Sequence, residues 1–226
     1  MTEPRSRNPV EPPDVLAKPR LRGVLHQYAF GVALGVGILL VVTAPGGRAK
    51  LAAAVYGFSI ALMLGVSALY HRGNWNAPVT RRLRRLDHTT IFVAIAGTYT
   101  PIALLALHGW IAEALLATVW AGALLGAMLE WAPVRVPRVL STSVYVAVGW
   151  VAVIALPALW STLGVLAFVG VLAGGLLYSL GAAVYARKRP DPFPQIFGFH
   201  EVFHAFVIAA VAVHAAVIAF AVLPRG

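Results

Sequence analysis

Residues 199–222 read "FHEVFHAFVIAAVAVHAAVIAFAV". The run is long enough to cross a bilayer as a helix, which takes about 20 apolar residues. Yet its first turns carry His200, Glu201 and His204 in the spacing H-E-x-x-H. Ionisable groups are costly at membrane depth and mark candidate functional sites. The stretch therefore poses a fold question and a chemical question together.

The rest of the chain answers the first. Of 226 residues, 60% are hydrophobic and 12% are charged, against about 25% charged in an average soluble domain. Mean hydropathy is +0.81. A soluble globule could not hide so much apolar surface, so the chain is expected to be an all-α integral membrane bundle. Seven spans are expected, over about 25–44, 50–71, 88–107, 110–130, 140–158, 162–186 and 199–222. Residues 1–22 are polar and Pro-rich, and read as a disordered cytosolic tail; 23–226 form the membrane domain. The tail lacks the apolar core of a signal peptide.

Charge sets the expected orientation. With the N-terminus inside, fifteen of the 18 Lys and Arg residues fall on the cytosolic side. They are Arg5, Arg7, Lys18, Arg20 and Arg22, then Arg72, Arg81, Arg82, Arg84 and Arg85, then Arg135, Arg138, Arg187, Lys188 and Arg189. Only Arg48, Lys50 and Arg225 remain outside, so the C-terminus is expected outside. The formal charge of +10 thus comes from short clusters between apolar runs. That is a topology signal, and it does not suit a nucleic-acid-binding face. The run at 81–85 also suits lipid headgroups. There is no cysteine, which excludes disulfides, thiol nucleophiles and Cys-ligated zinc.

With that topology, His71 ends the second span, Asp87 and His88 open the third, and His200 opens the seventh. His71, Asp87, His200 and His204 then share one level of the bundle. His200 and His204 are four apart on one helix face, as are Ser67 and His71; His204 lies about 6 Å deeper than His200. Three imidazoles with an open fourth position describe a catalytic zinc site. Asp87 is the candidate to orient or deprotonate water, or else caps the third helix. Ser67 is the candidate to support it or to touch substrate. Glu201 has two readings: the general base of a zinc protease, or an interfacial residue paired with a basic loop side chain. His26, at the start of the first span, could join the site. His88 should face about 100° away from Asp87, His108 lies near the outer surface, and His214, about 21 Å beyond His200, suits a core hydrogen bond.

These residues carry a resemblance. "SALYH" (67–71), "RRLDHTTIFVAIAGTYTPIAL" (84–104), "GFHEVFHAFVIAAVAVH" (198–214) and "KPRLRGVLH" (18–26) resemble the signatures of the hemolysin III family. That family is similar to the progestin and adiponectin receptors, within a wider group thought to be metal-dependent hydrolases. The resemblance implies seven helices with the N-terminus inside. It implies zinc ligands at His71, His200 and His204, a water-coordinating aspartate at Asp87 and a serine at Ser67.

The expectation is a zinc-dependent hydrolase in the cell membrane, acting on an acyl-lipid amide or ester with ceramidase-like chemistry. Membrane lipids are its expected partners, and nucleic acid is not. The alternatives are a pore-forming cytolysin, as the family name implies, or a non-enzymatic membrane-homeostasis or receptor-like protein with structural zinc.

Overall fold

The computed structural model describes residues 18–133 and 137–226. Most of the expected tail, with Arg5 and Arg7, lies outside the described residues, as does Arg135. Eight α-helices run α1 Val24–Thr43, α2 Gly47–Arg72, α3 Ala77–Pro101, α4 Gly109–Trp131, α5 Arg138–Gly149, α6 Leu156–Leu163, α7 Val165–Arg187 and α8 Phe199–Val217. Among the described residues these form seven segments long and apolar enough to cross a membrane, and there is no strand beyond one bridge between Phe193 and Phe197. The outer surface agrees: Leu166, Phe220, Ile154 and Val42 stand exposed, a cost in water that disappears in hydrocarbon. This is a multi-pass integral membrane protein.

Two segments depart from their expected bounds, each for a local reason. The third helix begins at Ala77, eleven residues before the expected span. Asn76 accepts a hydrogen bond from the Val79 N–H at 3.1 Å and Pro78 sits in the first turn, a favoured start. Arginine is a good helix former, so 81–85 continue the helix although they are polar. The fifth span is broken: α5 passes through a 3-10 stretch, Val151–Ala155, into α6. Pro157 stands at the start of α6, where its missing N–H is tolerated and where an unbroken helix would not be. The last span keeps its expected reach, from Phe199 to a π-helical turn over Ile218–Val222. The tight turn between the third and fourth spans holds, with only Leu107 and His108 between the π-helical end of the third, Ile102–Ala106, and α4.

Helices α2 and α3 form the buried centre, with α1, α4 and α7 facing outward along most of their length. Tyr56 on α2 donates to the Val211 carbonyl on α8 at 3.3 Å. Where α1 crosses α2, Gly37 and Gly57 meet backbone to backbone: a Cβ on Gly57 would lie 2.9 Å from Gly37 Cα. Small residues at such crossings let helices approach closely in lipid. Gly57→Val is expected to cost about 1–3 kcal/mol through overpacking, read as a lower unfolding midpoint in detergent. An unchanged midpoint would show that the α1–α2 contact is not part of the stable core.

Candidate metal centre

At one end of the bundle, α2, α3 and α8 bring together the residues expected there. His71 lies in the last turn of α2 and His200 and His204 in the first two turns of α8. One nitrogen from each lies within 4.8 Å of one from each of the others. His71 Nε2 and His200 Nε2 are 3.1 Å apart. His71 and His204 are buried and His200 is half-buried. Neutral imidazoles with converging lone pairs are metal ligands, and this set could hold a metal ion.

Asp87 arrives from α3, its Oδ2 3.8 Å from His71 Nε2. Ser67, one turn before His71, lines the same cavity as Asp87. The capping alternative for Asp87 does not apply, since the helix starts ten residues earlier, at Ala77.

Glu201 is 1% exposed and both of its oxygens are engaged. Oε1 pairs with Arg22 Nε at 2.6 Å, and Oε2 accepts the Gly198 N–H at 2.8 Å, in a capping box at the start of α8. Its partner is thus a basic side chain, supplied by the segment before α1 rather than by a loop. That segment is itself tied down: the Arg20 and Leu21 N–H groups donate to the Gln195 and Ile196 carbonyls at 3.0 and 3.1 Å. Gly23 follows with φ of +78°, and a Cβ there would lie 2.5 Å from His71 Cβ. Only glycine allows this turn against the histidine.

His26 reaches the cluster, but as a stacking partner. Its ring lies parallel to His204, 3.7 Å between centroids and 7° between planes, outside the converging set of nitrogens. The other histidines sit apart. His214 Nε2 lies 3.2 Å from the Val171 carbonyl. His108 precedes α4 at the opposite end, exposed. His88 Nδ1 lies 3.2 Å from Glu130 Oε2, while Glu130 Oε1 accepts from the Ser141 and Tyr145 hydroxyls at 2.7 and 2.9 Å. Sequence reasoning missed this network. The signal was present: Glu130 ends the fourth span at the level where His88 opens the third.

Two hollows meet at the histidines. A mainly apolar cavity of about 150 Å³ runs into the bundle from Ser67, Asp87, His200 and His204 to His214. A polar cleft of about 380 Å³ reaches His71 from the other side, walled by Lys18, Arg22, Tyr70 and Trp75. The triad stands between an apolar cavity lined by His200 and His204 and a polar cleft lined by His71.

The family model for haemolysin-III related proteins matches residues 15–215. Hemolysin-3 of Bacillus cereus is 35% identical over 176 residues, 78% of this chain and 77% of the relative. A Hemolysin-3 homolog of Bacillus subtilis strain 168 is 35% identical over 159 residues, 68% of this chain and 69% of that protein. The match takes in every residue of the triad together with Ser67 and Asp87, and the chain belongs to the haemolysin-III related family.

Proposed function

We propose that the protein is a zinc-dependent hydrolase of acyl-lipid amides or esters, with its histidine end on the cytosolic side. The observation that carries this reading is the convergence of three imidazoles and one carboxylate at the junction of an apolar cavity and a polar cleft. Two nitrogens about 2.0–2.1 Å from a tetrahedral zinc lie roughly 3.3 Å apart; the 3.1 Å between His71 and His200 fits that requirement. All-imidazole ligation without cysteine favours zinc over softer metals. The basic residues around the same end support a cytosolic placement.

When bound, zinc would supply Lewis acidity to a carbonyl and acidify water. The chain's own groups divide the remaining work. The apolar cavity takes the acyl chain and the cleft admits water. Asp87 accepts a proton from the attacking water at its carboxylate, then returns it to the departing amine or alkoxide. The bond from the acyl carbon to nitrogen or oxygen breaks, and the water oxygen joins that carbon to leave a carboxylic acid. Ser67 holds the Asp87 carboxylate in orientation. Glu201 takes no part as base, because Arg22 and the Gly198 N–H occupy it; this disfavours a protease built on H-E-x-x-H.

The printed names of the relatives suggest a lytic protein as the second reading. The apolar lining of the cavity suits an acyl chain better than a column of water and ions. Both readings are tested in one preparation of purified protein in liposomes. Release of labelled fatty acid from acyl amides or esters is expected with zinc and is lost after chelation, without leakage of trapped dye. Dye leakage without fatty-acid release would reverse the assignment.

A further inference from the structure

The apolar cavity has a polar group at its far end. Its lining runs along α3 from Asp87 to Ile102, along α7 from Tyr185 to Val171 and along α8 from His200 to His214. Ile102, Val171 and His214 therefore close it, about 15 Å beyond His204 and about 21 Å beyond His200 along the helix. An ionisable side chain at such depth marks a candidate site. The Val171 carbonyl, 3.2 Å from His214 Nε2, can only accept. Nε2 therefore carries the ring proton, and Nδ1 of the neutral imidazole is left as a bare acceptor. Nδ1 is buried and, among the described residues, has no hydrogen-bond partner. The ring is not needed to satisfy Val171, whose carbonyl lies inside α7 and already accepts the N–H four residues on. Room is nonetheless kept for it. A Cβ on Gly174 would lie 2.2 Å from Nε2, and Tyr178 tilts against the ring with 5.8 Å between centroids. An aliphatic side chain would fill the same space without burying an unmatched lone pair, which is costly.

Three polar side chains on the same lining have also given their protons away. Thr98 donates to the Ala94 carbonyl at 2.8 Å, Ser179 to the Gly175 carbonyl at 2.8 Å, and Trp150 Nε1 to the Ser179 hydroxyl at 2.9 Å. A donor in the occupant is what complements His214. A hydroxyl supplies one; an ether or a methyl end does not. An extended chain of single bonds advances roughly 1.2 Å per bond, since three backbone bonds span at most about 3.6 Å. The about 15–21 Å from the α8 histidines to His214 is then roughly 12–17 bonds, the length of a common acyl chain. We propose that the far end of the cavity is a hydroxyl subsite, in which His214 Nδ1 accepts from a hydroxyl at or near the end of the acyl chain of the bound lipid. The assignment rests on the hydrolase reading for the place of the carbonyl at the triad, and on the cavity alone for the binding. Hydrolysis of such a lipid consumes one water, breaks the acyl bond and leaves a hydroxy fatty acid in the cavity.

The test uses the full chain, loaded with zinc, in detergent micelles. Binding is measured for ω-hydroxypalmitate, for its ω-methoxy counterpart, which has the oxygen without the proton, and for the isomer hydroxylated beside the carboxyl. Each is compared between wild type and His214→Phe in the same micelles, so that partition into detergent cancels. Wild type is expected to prefer the ω-hydroxy acid about tenfold over the other two, as a matched buried acceptor predicts. His214→Phe keeps a ring in the space and is expected to abolish the preference. Zinc content equal to wild type verifies that the variant is folded, and the comparison of the three acids in wild type stands without it. Equal binding of the ω-hydroxy and ω-methoxy acids overturns the proposal, leaving Nδ1 to a fixed water. A preference that survives His214→Phe removes His214 from the subsite. Tighter binding of the isomer hydroxylated beside the carboxyl places recognition at the triad and also overturns it. Release of the acids from their ethanolamides is followed in parallel. A preference in binding without release sinks the hydrolase reading and leaves the subsite standing. Release without a preference does the reverse.

Discussion

His200→Ala/His204→Ala is expected to reduce bound zinc from about one per chain to none, and to cut fatty-acid release by about 10³-fold or more. Both side chains stand on the first two turns of one helix, so the double substitution leaves only His71 of the converging set. A single imidazole does not hold zinc against a buffer. The helix itself should survive, because its start is fixed elsewhere, by Glu201 on the Gly198 N–H and by Asp191 accepting from the Phe199 N–H at 2.7 Å. Alanine is also the best helix former. Elemental analysis and circular dichroism on one sample separate the two effects. Metal retained by the double variant would place the ion elsewhere. Metal lost with fatty-acid release intact would remove the metal from the reaction.

Asp87→Asn is expected to keep the zinc and to lower kcat by about 10²–10⁴-fold, the contribution of a positioned acid–base group, with KM little changed. Asparagine preserves the shape of the side chain, but it cannot take up a proton. Asp87 is 3.8 Å from His71 Nε2 and no member of the imidazole set, which is why metal content should stay level. Ser67→Ala acts through Asp87, so its loss should be smaller, about tenfold. Loss of zinc in Asp87→Asn would turn the aspartate into a ligand. Unchanged kcat would remove it from the mechanism.

Much of this arrangement was legible in the residues. Hydrocarbon satisfies no backbone group and tolerates few charges, so apolar runs report spans directly. Once the spans alternate, chain order places His71, Asp87 and His200 at one end, and four-residue spacing puts His200 with His204. What was not legible depended on contacts between distant segments or on local backbone chemistry. Apolarity alone could not locate Ala77, because Asn76 and Pro78 start the helix in polar sequence. The break before Pro157 lies inside an apolar run and changes no count. Glu201 could be read as base or as interfacial residue until Arg22 was seen beside it. The stack of His26 on His204 has no sequence signature, since it joins the first helix to the last.

The stitching of residues 20–22 to the α7–α8 connection has a consequence for synthesis of the protein. His71 and His200 are 129 positions apart, and Arg22 meets Glu201 across an even longer stretch of chain. A growing polypeptide therefore holds Arg22 without Glu201 and His26 without His204, and His71 with Asp87 alone, until the final hydrophobic segment leaves the insertion machinery. A chain that stops before Phe199 leaves Arg22 without its carboxylate and His26 without its stacked ring. Completion of the last segment, rather than of the first six, is the moment at which the nascent protein stops presenting unmatched polar groups to membrane quality control.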